Sequence, residues 1–176
     1  MEDFAKRERY CINPSKSNVL CYKNTSKGAI HEPKYFMTGN ELRKASTTMH
    51  LGIQRSTTNT PDIEGKISLA RKAAYALMGA GFHSGNGLKH ETCARLWISE
   101  VVPRLIYGLE VMDLRAKGIT ELELFQRKNM KQLQGLPSKT PNSISIAMLG
   151  LLPVESAVHK NMLSLFGNII RNKDSV

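Results

Sequence analysis

The chain has 176 residues, 41% of them apolar, and a formal net charge of +10 from 25 Lys and Arg against 15 Asp and Glu. That apolar content excludes wholesale disorder, and no uninterrupted run reaches the roughly 20 apolar residues of a membrane span. Three scattered cysteines, Cys11, Cys21 and Cys93, do not form a disulfide framework and fit a reduced, intracellular protein. The N-terminal MEDFAKRERY lacks the apolar segment of a signal peptide, and no targeting signal is identified. The basic excess is uneven. Residues 1–60 carry 10 basic and 5 acidic groups, residues 61–110 carry 6 and 5, and residues 111–176 carry 9 and 5. A surplus of this kind suits a polyanion, because each neutralised phosphate releases counterions; plain solubility is the other reading.

In chain order, DFAKRER at 3–9 reads as the end of a helix, and Asn13-Pro14-Ser15 as a turn. NVLCY at 18–22, residues 35–37 and MHLGI at 49–53 read as three short strands, with Gly39-Asn40 turning after the second. Three such strands form a marginal sheet unless something covers one face. STTNTP at 56–61 reads as a linker, with Thr60 as N-cap and Pro61 as the first residue of a helix. Ile63, Ile67, Ala70, Ala74 and Leu77 then form a helical apolar stripe ended by Gly79 and Gly81.

The glycine-rich GAGFHSGNGLKHET follows. It lacks the Gly-Lys-Ser/Thr of a Walker loop and the third glycine of a dinucleotide loop, and it follows a helix where those motifs follow a strand. It reads as a turn between helices. The stretch after it, CARLWISEVVPRLIYGLE at 93–110, holds the only tryptophan, Trp97. Ala94, Ile98, Val101 and Leu105 share one face, with Trp97, Val102 and Ile106 beside it. A helix apolar on nearly all sides must be wrapped by others. Pro103 should kink it, and the segment around Gly108 should leave helix. A third helix, 119–133, turns Leu122, Phe125, Met130 and Leu133 inward and Arg127, Lys128 and Lys131 outward. A short helix at 143–149 ends at Gly150. Pro153 opens a last helix, on which Val154, Val158, Met162, Leu165 and Ile169 repeat every three to four residues.

The fold class that follows is mainly α: a helical bundle with a short N-terminal β-containing piece. The divisions are 1–56 with the short strands, 57–60 as linker, 61–136 as the first helices and 137–176 as the C-terminal helices.

No constellation of residues points to an intact enzyme. His90 and Cys93 could share a helix face, but zinc wants a second such pair, so the metal-ligand set is empty. Ser84 and His83 adjoin without an activating partner. The four aspartates, Asp3, Asp62, Asp113 and Asp174, are dispersed, whereas two-metal phosphoryl chemistry needs carboxylates holding ions about 3.5–4 Å apart. Lys16, between a turn and a strand, reads locally as an exposed loop lysine. Arg127, Lys128 and Lys131, with Lys139 beyond, read equally as a grip on a phosphate backbone or as a solvated face.

Three pieces of the chain, in order, resemble the reverse transcriptases of non-LTR (LINE-type) retrotransposons. Ile12-Asn13-Pro14-Ser15-Lys16-Ser17, followed by NVLCY, resembles the polymerase motif that comes after the catalytic aspartate pair. His50-Leu51-Gly52-Ile53 is similar to the Tyr-Leu-Gly primer grip, with His50 in place of the aromatic residue. ISLARKAAYAL, VVPRLIYGLEV, FQRKNMKQLQGLP and MLGLLPVE follow as in the thumb and the connection beyond it. The likeness covers about residues 8–171.

It implies a right-hand polymerase fold, of which this chain would be the palm edge and a thumb-like bundle. Lys16 would be the lysine that protonates leaving pyrophosphate. His50, Leu51 and Gly52 would lie beside the primer end. Arg127, Lys128, Lys131 and Lys139 would track an RNA/DNA primer–template weakly and without reading sequence. The Ala-Asp-Asp motif, the earlier metal-binding aspartate and the fingers are missing from this sequence. The expectation is therefore a C-terminal fragment of an RNA-directed DNA polymerase, inactive alone, with no cofactor of its own (Mg for the complete polymerase). The resemblance is also compatible with a nuclear location. The other reading is a small basic helical scaffold for protein interactions, of retroelement ancestry.

Overall fold

The structure, a computed structural model, describes residues 2–21, 34–37, 39–83 and 87–172. It is mainly α, with a few short strands, and divides into two compact units, Met1–Thr60 and Pro61–Val176.

The first unit opens with α1, Glu2–Arg7. Phe4, half exposed, meets Tyr10 edge-on with ring centroids 6.4 Å apart. A 3-10 turn, Pro14–Lys16, follows; Asn13 caps it by accepting from the Ser15 N–H at 3.0 Å and the Ser15 hydroxyl at 2.7 Å. Of the strand expected over 18–22, β1 spans Asn18–Val19, and residue 22 lies outside the described residues. β1 pairs in parallel with β4, Arg43–Lys44. Between them β2, Phe36–Met37, and β3, Asn40–Glu41, form a short antiparallel pair turning at Gly39.

The expected strand over 49–53 is in fact a turn with a strand on either side. β5, Thr47–His50, and β6, Ile53–Ser56, pair antiparallel with His50 opposite Ile53. Leu51 and Gly52 make the two-residue connection, both at positive φ (51° and 74°). That is the signature of a type I′ hairpin turn, whose twist matches the strands. Reading 49–53 as one extended segment missed it because leucine is a poor residue for a left-handed position. Ser56, read as linker, closes β6 opposite Thr47. Among the described residues of this unit only Ala5 is buried, so its three two-stranded pairings rest on backbone hydrogen bonds more than on a core.

The second unit has the core. α2, Ile63–Met78, starts two residues later than Thr60-Pro61 would have it. Asp62 is the N-cap, and its carboxylate accepts from the Gly65 N–H at 2.9 Å. The carboxylate folds back so closely that a Cβ at Gly65 would lie 2.1 Å from it. Ala70 and Ala74 of the stripe are fully buried, with Ile63, Ile67 and Leu77 packed partly against the core. Small residues at the centre of the stripe let the next helix approach.

That next helix runs in three pieces: α3, His90–Leu96; a π-helical turn, Trp97–Val101; and α4, Val102–Ile106. Proline cannot donate to the turn before it and crowds the carbonyl four residues back. The chain absorbs Pro103 by widening the preceding turn, where the Val102 N–H reaches the Trp97 carbonyl. The wide turn lies at the centre of the core. Trp97, Val101 and Leu105 are fully buried, and the Trp97 ring lies 5.9 Å from that of Phe125. Ile98, expected inside, is 54% exposed, so this helix is wrapped on three sides and open on the fourth.

After α4 the chain leaves helix at Tyr107, turns through Gly108 at φ 78°, and makes a 3-10 turn, Leu109–Val111. α5, Ala116–Leu133, α6, Asn142–Ala147, and α7, Val154–Arg171, complete the unit. α2, α5 and α6 end alike. Gly81, Gly135 and Gly150 have positive φ. The next residue, Phe82, Leu136 or Leu151, donates its N–H five residues back, to Leu77, Lys131 or Ile146. These are Schellman caps, each followed by an apolar residue, and two of those residues, Phe82 and Leu151, are buried in the core. Phe82 is fully buried, which makes the glycine-rich stretch a plugged interhelical turn: the Gly81 carbonyl accepts from both His83 and Leu88 N–H at 2.8 Å.

Candidate nucleic-acid interface

α5 decides where the basic side chains point. Leu122, Gln126, Asn129 and Leu133 fall at i, i+4, i+7 and i+11 and form its inner line, all buried. The two polar members have partners. Asn129 donates to the Phe125 carbonyl at 2.8 Å. Gln126 donates to the Leu152 carbonyl at 2.9 Å and accepts from the Val154 N–H at 3.0 Å. Gln126 thereby satisfies the first orphan N–H of α7 and ties that helix to α5.

With the inner line fixed, Leu124, Arg127, Lys128 and Lys131 are forced to the opposite face. Together with Gln132, Leu136, Ser138 and Asn142 they line one groove of about 480 Å³. The Schellman cap at Gly135 shapes its end, because it turns Leu136 and Ser138 back toward Lys131. The Lys131 ammonium donates to the Ser138 carbonyl at 2.8 Å. That carbonyl orders the side chain without neutralising it. Arg127 pairs with Glu123 one turn back, which offsets its charge. Lys128 is exposed and has no ion pair among the described residues. The structure therefore gathers Arg127, Lys128 and Lys131 along one groove and leaves Lys139 outside its lining, exposed in the turn after α5.

The remaining candidates lie in the first unit. Lys16 is exposed at the end of the 3-10 turn that leads into β1, with its N–H bonded to the Asn13 carbonyl at 3.2 Å. His50, Leu51 and Gly52 form the exposed tip of the β5–β6 hairpin, a pairing separate from that of β1. Leu51 is 76% exposed on a left-handed backbone.

Asp62 is engaged as the cap of α2, and Asp113 lies 3.7 Å from Arg115. Among the described residues no group of three or more His, Cys, Asp or Glu could hold a metal ion. His90 is exposed on α3, whereas Cys93 is buried with its thiol 3.7 Å from the Leu88 carbonyl. Burial pushes the Cys93 thiol above its usual pKa.

One lysine that sequence reading passed over is electrostatically unusual. Lys66 of α2 donates to the Tyr107 carbonyl, where the chain leaves α4. Burial pulls its ammonium below the ordinary lysine pKa, against the upward pull of Glu110 and Asp62. Among the described residues, one carboxylate oxygen of Glu110 is buried without a hydrogen-bond donor, and the Trp97 indole N–H without an acceptor.

Gln126 and Asn129 were legible in principle, since they interrupt an apolar stripe at positions that must face inward. Leu136 and Asn142 were not, because a cap geometry brings them to the groove; Gln132 is on α5 itself, next to Lys131. No helix among the described residues is long and apolar enough to cross a membrane. Comparison with protein-family models, with curated proteins and with solved structures returns no match.

Proposed function

We propose that this chain is a palm-edge and thumb portion of a retroelement reverse transcriptase and that it holds the backbone of a primer–template duplex. The observation that carries the reading is the convergence of Arg127, Lys128 and Lys131 on one groove. They lie on the helix whose FQRKNMKQLQGLP stretch resembles the thumb. Cations aligned on a rigid helix neutralise phosphates and fix register without contacting base edges. Lys16 supplies the candidate general acid, and His50, Leu51 and Gly52 the candidate primer contact, in a polymerase whose metal-binding aspartates this sequence does not include. Mg would belong to the complete enzyme, and the site of action would be intracellular.

The test has two arms. Binding of a labelled primer–template should fall steeply with salt, and primer extension with Mg²⁺ by the purified chain should be nil. A flat salt response counts against phosphate tracking, and extension by the chain alone counts against a segment without its own catalytic carboxylates.

A second reading, a protein-interaction scaffold of retroelement ancestry, draws on the exposed Ile144 of α6 and the exposed Met148 and Leu152 that follow it. Exposed apolar surface, where it is contiguous, marks interaction sites. Recovery of a partner protein in a nuclease-treated pull-down, with no binding to nucleic acid, would favour it over the first.

A further inference from the structure

We infer that the outward face of α7 is a second strip for a nucleic-acid backbone, separate from the α5 groove; the inference rests on the nucleic-acid reading proposed above. Val154 and Val158 bury one face of α7. On its exposed side, Ser156, His159, Lys160, Ser164, Asn168 and Arg171 line a shallow open trough with the apolar Leu163 among them. Each of the polar side chains can donate a hydrogen bond to a phosphate oxygen, and the trough lining includes no carboxylate. A face kept only for solubility ordinarily mixes both signs.

The cations are available. Among the described residues neither Lys160 nor Arg171 takes part in an ion pair, in contrast to Arg127. Arg171, in the last turn, also suits the negative end of the helix dipole; Lys160, in mid-helix, has no such reason to be there. At about 1.5 Å of rise per residue the two lie roughly 16 Å apart along α7. A single strand of a few nucleotides spans that distance, so one backbone can meet both cations. Gly167 stands between them with open space above it, so a strand can lie against the helix backbone there. Phe166, 62% exposed, borders the trough and offers a ring for a base to stack on, a pairing of features used for single strands.

The experiment is a salt titration of binding to a labelled 20-nucleotide single strand by the full chain. The Lys160→Gln/Arg171→Gln double variant should bind more weakly and flatten the slope of log affinity against log salt by about 1.5. A Lys160→Arg/Arg171→Lys variant, which keeps both charges, should retain the slope. Helical circular dichroism checks that the double variant is folded. Binding by the unaltered chain together with an unchanged slope in the double variant would overturn the α7 strip while leaving the α5 groove standing. Absence of single-strand binding by an unaltered chain that still binds a primer–template duplex would overturn the strip alone; absence of binding to both would overturn the nucleic-acid reading itself, and the strip with it.

Discussion

The Gln126 side chain bridges Leu152 and Val154, donating to the carbonyl of one and accepting from the N–H of the other, at 2.9 and 3.0 Å. This one amide holds the start of α7 against α5 and fixes which face of α5 is inward. Gln126→Leu keeps the volume and removes both bonds. It leaves the Val154 N–H stranded at a buried junction, and frees the carbonyl of the exposed Leu152. A net loss of about 1–3 kcal/mol is expected in urea unfolding, with faster amide exchange at the start of α7. A loss below about 0.5 kcal/mol would show that the junction is held by packing alone.

Lys66 sets a pH dependence whose sign follows from burial. Its folded pKa is lowered from the ordinary 10.5, so the folded state releases the proton first on raising pH. Between the lowered value and 10.5 the unfolded chain binds more protons, and stability rises with pH in that window. Below it the charged ammonium bears its full desolvation penalty. Lys66→Gln should abolish the alkaline increment in unfolding free energy. An identical pH profile in the variant would mean that Lys66 is solvated like a surface lysine.

The β5–β6 hairpin holds a leucine where asparagine would be easier. A non-glycine residue in the left-handed region costs about 1–2 kcal/mol, less for asparagine. Leu51→Asn should therefore stabilise the hairpin by about 0.5–1 kcal/mol, read as slower amide exchange in β5 and β6. Stabilisation accompanied by weaker primer–template binding would favour a contact role for the exposed Leu51. Faster exchange would contradict the turn geometry.

Periodicity alone located the long helices and most of their buried faces, because 3.6-residue spacing leaves little choice for Ala70, Ala74, Leu122, Leu133 or Val158. The exposure of Ile98 was not legible, since it depends on how many neighbours pack around α3 and α4. Nor was the π-helical turn at Trp97, which follows from where Pro103 falls relative to a packed core. The hairpin at Leu51-Gly52 was hidden by an atypical turn residue, and the cap at Asp62 by the more conventional Thr60-Pro61 beside it. In the site, the cations were visible from sequence. Their sharing of a groove was not, because it rests on the Gly135 cap and on the inward Gln126.

The most direct test of the nucleic-acid reading is the salt dependence of primer–template binding by the unaltered chain and by Lys128→Gln, the exposed cation of the α5 groove. Removing one phosphate-neutralising charge should weaken binding alike on unrelated sequences and reduce the salt slope by about 1. An unchanged slope in Lys128→Gln, with the unaltered chain binding normally, would contradict a backbone-tracking role for this groove.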